Sequence, residues 1–384
     1  MSREMLEQAL RNWQDKIAYF ERQLSITDSP GKKFELRKEI KEYEQDIERI
    51  QASIKLHDSE FISGFLADEC MATIAQEVVE QISKNKQSQD DFCQEIGEKE
   101  AYLITTLEPF DEKRKEFLFN GWLIIGEPKD NSEYLDRCQS LLNHNENESG
   151  IKCELSQVEI ILDNFIERCF AFLPKDHKLI IEIFLPIDLL ETEVEWWNIK
   201  DYDYSKTPIG TKYPVRLRSI ERLDERYLQR YLYQWQQKWQ KAKSVLRQQP
   251  TQQDFGHLDL IKDETFTIEY LLYELEEKIG LKLTSCPPRH KRQDLFKAIL
   301  KSTIPIALWT RYYFPEQNKE IDKLFVLKPL CFLCDSIKKK RMEALAQRDE
   351  VQKQKHLGSH LALLWENPYR LTPDVMVELI PPGQ

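Results

Sequence analysis

The stretch Lys178-Leu179-Ile180-Ile181-Glu182-Ile183-Phe184-Leu185, which ends at Pro186, decides the fold of this chain. Its apolar residues do not alternate with polar ones, so both faces of the predicted strand are apolar. This pattern is typical of a central strand that is covered on both sides. We therefore expect a sheet with helices packed against it.

Further strands and helices alternate on either side of this stretch. Strands are predicted at 101–107, 116–125, 213–218, 305–309 and 360–365, and helices at 156–173, 225–247, 268–279, 292–302 and 338–353. The first two strands are predicted to form a hairpin. Trp235 and Trp239 lie four residues apart, so they form one stripe that we expect to dock on the sheet. The sequence predicts an α/β domain over 98–384, with a mixed, largely parallel sheet and covering helices.

The first 57 residues have a different pattern, in which apolar residues recur at spacings of three and four. The two apolar seams are Leu6, Leu10, Trp13, Ile17, Phe20 and Leu24, and then Leu36, Ile40, Tyr43, Ile47, Ile50 and Ile54. Each seam lies on a mostly charged segment, as in coiled coils. Because the loop between them is short, we predict an antiparallel helical hairpin over 1–57, or a small bundle, followed by a helical connector over 58–97.

This hairpin has more apolar surface than two short helices can bury against each other. One interpretation is an intramolecular bundle with the next helix of the chain. The other is an association module that binds a second copy or a different protein. The residues expected to make that interaction are Leu6, Leu10, Trp13, Ile17, Phe20, Leu24, Ile40, Tyr43 and Ile47.

Composition narrows the class of protein. The chain has 384 residues, with 66 acidic against 55 basic side chains and a net charge of -11, so nucleic acid is an unlikely general partner. The eight cysteines have no disulfide-framework spacing, which predicts a reduced, cytoplasmic protein. The first ten residues lack the apolar segment of a signal peptide, and no stretch approaches the roughly 18 apolar residues of a membrane span.

The usual catalytic and cofactor motifs are absent from the sequence. It contains neither a phosphate-binding glycine loop nor a G-x-S-x-G or H-E-x-x-H motif, so we predict no cofactor, no metal and no enzymatic activity. Cys331 and Cys334 form a single C-x-x-C, and their apolar neighbours favour buried thiols over a zinc site. The candidate nucleophile is Cys286, in a dyad with His257 or His290.

A polar crevice at the strand ends is the alternative site. Arg216 and Arg218 alternate along a strand and share a face, which fits either a buried salt-bridge network or an anion clamp. Trp309 and Trp365 follow at the carboxyl ends of predicted strands, where α/β folds place ligands, although core packing also explains them. Glu366, Asn367 and Arg370 are expected at the crevice rim. The candidate crevice residues are Arg216, Arg218, Trp309, Arg311, Trp365, Asn367 and Arg370.

Six blocks of the sequence, in order, resemble one family. They are 181–186, 194–197, 208–222, 283–288, 304–311 and 360–370. Together they are similar to the C-terminal domain of von Willebrand A–MoxR-associated proteins (VMAP-C), over about three quarters of the chain. Segments 20–24 and 28–36 resemble the effector-associated domains of bacterial conflict systems, which are small helical adaptors thought to pair like with like.

The resemblance implies a component of a prokaryotic conflict, or antiphage immune, system. In that family the domain usually follows an effector such as a protease and works beside an ATPase and a von Willebrand A partner. We expect no room here for a protease domain, so the resemblance implies an adaptor or sensor whose protein effector is a separate chain, with a homo-oligomer as a further possibility. Two alternatives stay open: an enzyme of unknown type with a crevice near Trp309 and Trp365, and a nucleic-acid or nucleotide sensor using Arg216, Arg218 or the basic run 338–341.

Overall fold

The computed structural model describes residues 99–111, 115–128, 131–142, 150–246, 250, 253–258, 267–284, 288–312, 317–326 and 329–379. The predicted hairpin at 1–57 and the connector at 58–97 lie outside these residues, as does Cys286. The helical interaction residues therefore remain predictions from the sequence.

Twelve strands occur in the described residues, and ten of them form one mixed sheet. The strands are β1 (Glu100–Pro109), β2 (Glu116–Ile125), β3 (Cys138–Ser140), β4 (Ile151–Glu154), β5 (Lys178–Leu185), β6 (Asn198–Lys200), β7 (Lys206–Pro208), β8 (Val215–Ser219), β9 (Phe255–Leu258), β10 (Gly280–Leu283), β11 (Ile306–Thr310) and β12 (Leu361–Trp365). The sheet order is β3-β2-β1-β5-β8-β12-β11-β10-β9, with β4 also paired to β2. Strands β6 and β7 form a separate antiparallel pair.

Helices connect most of these strands. They are α1 (Asn131–Asp136), α2 (Val158–Phe172), α3 (Ile209–Lys212), α4 (Glu225–Leu246), α5 (Ile268–Glu274), α6 (Arg292–Lys301), α7 (Gln317–Val326), α8 (Leu333–Leu345), α9 (Glu350–Lys355) and α10 (Pro373–Glu378). Short 3₁₀ helices include Ile187–Leu189, Val194–Trp196, Leu330–Phe332 and Leu357–Ser359. None of the helices in the described part of the chain is long and apolar enough to cross a membrane.

The sheet confirms the α/β prediction. It consists of two sets of parallel strands that run in opposite directions, together with the antiparallel strands around β2. Strands β1, β5, β8 and β12 run parallel to one another, and β9, β10 and β11 form a second parallel set. The sets meet where β11 pairs antiparallel with β12. The predicted hairpin of β1 and β2 is present as well.

One predicted helix is wrong. The helix predicted over 338–353 is two helices, because α8 starts earlier and ends at Leu345, and α9 begins at Glu350. The Asp349 side chain accepts a hydrogen bond from the backbone N–H of Val351, 3.1 Å away. This N-cap starts a new helix instead of continuing the old one.

The two faces of the sheet differ in how their cores are built. On the first face, residues such as Leu179, Ile181 and Ile183 belong to one large apolar cluster. On the second face, Ile180 and Phe184 belong to a cluster on the β1 side, whereas a separate cluster lies under β11 and β12. Helix α4 packs against both second-face clusters through the predicted tryptophan stripe. Trp235 belongs to the cluster on the β1 side, and Trp239 belongs to the cluster under β11 and β12.

Candidate functional site: a buried arginine–glutamate network

Charged side chains lie between the two apolar clusters of the second face, around Glu182 in the middle of β5. The Glu182 carboxylate accepts hydrogen bonds from Arg216 Nη1 at 3.1 Å, Arg218 Nη1 at 3.0 Å and Arg370 Nη2 at 2.6 Å. Glu182 is 0% exposed. The register of β5 against β8 places Glu182 beside Arg216, so strand pairing brings the first contact together.

A second carboxylate, Glu366, extends this network beyond the end of β12. Its Oε2 accepts from Arg218 Nε at 3.2 Å, and its Oε1 lies 3.2 Å from Arg222 Nε and accepts from the backbone N–H of Ser219 at 2.8 Å. Four buried arginines therefore surround two buried glutamates. Glu127, which is half-exposed, pairs with Arg370 Nη1 at 3.4 Å and supplies a third carboxylate from the surface.

Aromatic rings cover the guanidinium groups of the network. The distance from the guanidinium carbon Cζ to the ring centroid is 3.6 Å for Arg370 and Tyr102 and 4.3 Å for Arg218 and Phe184. It is 4.9 Å for Arg216 and Trp365 and 4.5 Å for Arg222 and Trp235. Arg222 Nη1 has no hydrogen-bond acceptor among the described residues. Such rings attract cations electrostatically, so they stabilise the excess positive charge inside the domain.

The network holds Glu182 in its charged form. Burial alone raises the pKa of a carboxyl, but Arg370, Arg218 and Arg216 outweigh it and lower the pKa of Glu182 to about 2. Burial raises the pKa of Tyr102 well above its ordinary value, so Tyr102 stays a neutral phenol. Its hydroxyl donates to Glu100 Oε2 at 2.7 Å.

Several predicted crevice residues belong to this network, but they are not at a rim. Of the two alternatives for Arg216 and Arg218, the structure shows the buried salt-bridge network. The backbone oxygen of Asn367 accepts from Arg218 Nη2 at 2.6 Å, and that of Arg370 also accepts from Arg218. Asn367 and Arg370, which were predicted at the rim of a polar crevice, are buried within the network. The loop after β12 turns inward because Arg218 donates to its carbonyls.

The structure does not bring Trp309 and Trp365 together. Trp309 pairs with Ala362 and Trp365 pairs with Ile306, so the two tryptophans lie at opposite ends of the antiparallel β11–β12 pair. They also face opposite sides of the sheet, since Trp309 belongs to the first-face cluster and Trp365 to a second-face cluster. The shared crevice predicted from their sequence positions is therefore wrong, because it required β11 and β12 to be parallel.

Arg311 belongs to a second buried cluster, centred on Glu195. Arg311 Nη1 donates to Glu195 Oε2 at 2.9 Å, and Arg341 Nη2 donates to Glu195 Oε1 at 3.4 Å. Arg341 also donates to the backbone oxygen of Leu361 at 3.1 Å, at the start of β12. Arg341 is buried, so this end of the basic run 338–341 contributes to the domain interior instead of to a nucleic-acid surface.

Glycines allow the backbone to close around this second cluster. A Cβ on Gly358 would lie 1.9 Å from the backbone oxygen of Lys340, and a Cβ on Gly210 would lie 2.8 Å from Glu195. Sequence reasoning missed Glu182 and Glu195 as the centres of their clusters. For Glu182 the available signal was a single carboxylate in an otherwise apolar strand, since a buried charge requires partners. Glu195 lies in the 3₁₀ helix Val194–Trp196 and had no such signal.

The C-x-x-C motif lies at the start of α8 and touches the first network. Arg216 Nε donates to Cys334 Sγ at 3.2 Å. Cys334 is buried, as predicted, whereas Cys331 is only half-buried. In the described part of the chain, no three His, Cys, Asp or Glu side chains are grouped to hold a metal ion.

A surface groove of about 530 Å³ lies at the β2–β4 edge of the sheet. Its lining residues are Lys115, Phe117, Glu154, Leu155, Ser156, Asp188 and Leu189. None of these residues belongs to either charged cluster, so the groove and the clusters are separate features.

Comparison with known proteins identifies a family. No curated protein matches the chain. The family model described as vWA-MoxR associated protein C-terminal domain matches residues 122–368, which include every member of the Glu182 network except Arg370. The match covers more than half of the sequence and overlaps all six blocks. The chain therefore belongs to the vWA-MoxR associated protein C-terminal domain family.

Proposed function

We propose that this chain is a non-enzymatic adaptor or sensor of a prokaryotic conflict, or antiphage immune, system. It recruits or regulates a separate effector protein through its N-terminal helices. The observation that carries the proposal is its membership of the VMAP-C family, whose name associates it with von Willebrand A and MoxR proteins.

The charged clusters support a structural role for the α/β domain. Polar side chains in an enzyme site converge on a pocket that a substrate can enter. Here Arg216, Arg218 and Arg370 converge on Glu182 inside the domain. This buried network joins β5 and β8 to the loop after β12 in one connected body. Such a body suits a domain that transmits binding at one surface to another.

The two other hypotheses both required polar side chains that are open to a ligand. The nucleic-acid or nucleotide sensor relied on Arg216, Arg218 or the basic run 338–341. Arg216 and Arg218 are paired with Glu182, and Arg341 of the run is paired with Glu195. The enzyme relied on a crevice shared by Trp309 and Trp365, which lie at opposite ends of β11 and β12. These placements favour the adaptor over both alternatives.

Recruitment would depend on the apolar seams of the N-terminal segment. A partner with a similar helical module can bury the seam that two short helices leave exposed. The specific partner class is an effector protein, protease-like or of another kind, that carries such helices. Self-association through the same seams would produce a homo-oligomer.

The experiment uses the full chain and an effector from the same genome that carries a similar helical module. Ile47→Asp places a charge in the predicted seam, and Gln45→Asp places the same charge two residues away, on the opposite side of the helix. Light scattering measures self-association, and titration calorimetry measures effector binding. We expect Ile47→Asp to weaken binding at least about tenfold, because an aspartate must then be desolvated in an apolar contact. Gln45→Asp should have little effect.

Two results would contradict the proposal. One is a wild-type chain that stays monomeric and binds no such effector. The other is equal association for Ile47→Asp and wild type while circular dichroism shows unchanged helix content.

A further inference from the structure

The C-x-x-C motif has the backbone geometry of a disulfide. The 3₁₀ helix Leu330–Phe332 leads directly into α8, so Cys331 and Cys334 are three residues apart along continuous helical structure. Residues at this spacing have Cα atoms about 5 Å apart in an α-helix and about 6 Å apart in a 3₁₀ helix. Disulfides form across Cα distances of about 4.4–6.8 Å. Both residues are thiols in this structure.

The sulfur of Cys334 contacts a positively charged side chain. Arg216 Nε donates to the Cys334 Sγ, and the guanidinium carries a positive charge next to the sulfur. The sulfur also lies in the first turn of α8, where the helix dipole is positive. The thiolate is the nucleophile in disulfide exchange, and Cys334 is the sulfur that would resolve a mixed disulfide.

Cys331 gives solvent access that Cys334 lacks. Cys331 is half-buried, whereas Cys334 is 5% exposed. An accessible cysteine beside a buried, arginine-contacted cysteine has the arrangement of an attacking thiol and a resolving thiol.

We propose that Cys331 and Cys334 form a redox-active dithiol that low-molecular-weight disulfides oxidise. The Cys331 thiolate attacks one sulfur of a disulfide R–S–S–R, forms a mixed disulfide and releases one thiolate RS⁻. The Cys334 thiolate then attacks the Cys331 sulfur, and the second RS⁻ leaves. The two cysteine protons are transferred to the two released thiolates, so the protein dithiol loses two electrons and R–S–S–R gains them.

Oxidation would reach the Glu182 network through one hydrogen bond. Oxidation replaces the Cys334 thiol, which accepts from Arg216 Nε, with a disulfide sulfur, and this changes the hydrogen bond to Arg216. Arg216 also pairs with Glu182 and lies over the ring of Trp365. The dithiol therefore couples the redox state to the charged network between the two apolar clusters. This inference stands independently of the proposed adaptor function.

The test is equilibration of the full chain with mixtures of oxidised and reduced glutathione. Samples are quenched with an alkylating reagent, and peptide mass spectrometry locates each disulfide. We expect wild type to form the Cys331–Cys334 disulfide reversibly. Cys334→Ser should instead accumulate glutathione on Cys331, because no resolving thiol remains. Cys331→Ser should lose the reaction, since Cys334 is buried.

Cys169→Ser is the matched control. Cys169 is buried, and burial raises the pKa of its thiol to about 12, so its removal should leave the Cys331–Cys334 disulfide unchanged. The proposal is overturned if no Cys331–Cys334 disulfide forms in oxidised glutathione alone. It is also overturned if Cys334 takes up glutathione in Cys331→Ser as fast as Cys331 does in Cys334→Ser. Either result would show that the motif is not a working pair.

Discussion

Replacing Glu182 with glutamine tests the central claim that the buried network stabilises the domain. Glu182→Gln keeps the shape of the side chain and removes its charge. The three arginines that contact Glu182 then stay buried with a neutral acceptor. Removing one partner from a buried ion pair typically costs about 3–5 kcal/mol of unfolding free energy, because the remaining charge is uncompensated.

The lowered pKa of Glu182 gives a second value for its contribution to the free energy of unfolding. A folded-state pKa of about 2, against an ordinary 4.5, corresponds to about 3 kcal/mol of stability at pH 7. Because the folded pKa is the lower one, this stability is fully present above about pH 5 and decreases as the pH falls towards 2. About 2 kcal/mol should be lost by pH 3. Glu182→Gln should lack this part of the acid dependence.

Urea unfolding followed by circular dichroism at pH 7 and pH 3 measures both effects. The control is Glu127→Gln, which removes a half-exposed carboxylate from the same Arg370 and should cost less than about 1 kcal/mol. At pH 7 the urea midpoint of Glu182→Gln should fall by about 1 M or more. If Glu182→Gln costs no more than Glu127→Gln, or keeps the wild-type loss of stability at pH 3, the reasoning is refuted.

Three further predictions concern other parts of the domain. Gly358→Ala places a Cβ 1.9 Å from the backbone oxygen of Lys340, whereas in Gly256→Ala the nearest atom is a side-chain methyl of Leu275 at 2.8 Å. The thermal midpoint of Gly358→Ala should therefore fall by several degrees more than that of Gly256→Ala. Equal midpoints would contradict this. Glu195→Gln leaves Arg311 and Arg341 buried without their carboxylate, so we expect the free energy of unfolding measured with urea to fall by about 3–5 kcal/mol. A fall of less than about 1 kcal/mol would show that the cluster does not stabilise the domain. Burial lowers the pKa of Lys238 to about 8, so the folded state should gain stability as the pH rises from about 8 to about 10.5. In Lys238→Met this rise in the free energy of unfolding should be smaller than in wild type. Parallel curves of stability against pH would contradict the prediction.

Long local patterns in the sequence predicted much of the fold. The apolar run at β5 and the runs at β1 and β2 were long enough to identify each strand. The short strands β3, β4, β6, β7, β9 and β10 have three or four residues each, and none of them was predicted. A segment that short has no clear periodicity and becomes a strand by pairing with its neighbour.

The direction of β12 is a second feature that sequence patterns did not predict. Its sequence predicted a strand, and the helices before it favoured a parallel return. Three helices, α7, α8 and α9, separate β11 from β12, and this connection returns the chain in the antiparallel direction. Because β12 is antiparallel to β11, Trp309 and Trp365 lie at opposite ends of this strand pair. No local sequence pattern predicts the direction of a strand.

The sequence by itself determined most of the long strands and helices and the α/β class, because each element depends on residues that are near one another in the chain. It also indicated the family, through the order of six short blocks. It also determined that Arg216 and Arg218 share a face, since side chains alternate along a strand. Only the tertiary structure decided their partners. Glu182 and Arg370 are 188 positions apart, and Arg218 and Glu366 are 148 apart, so their contacts depend on strand order and on the path of the loop after β12. Buried charges require partners, but only the packed domain specifies which ones.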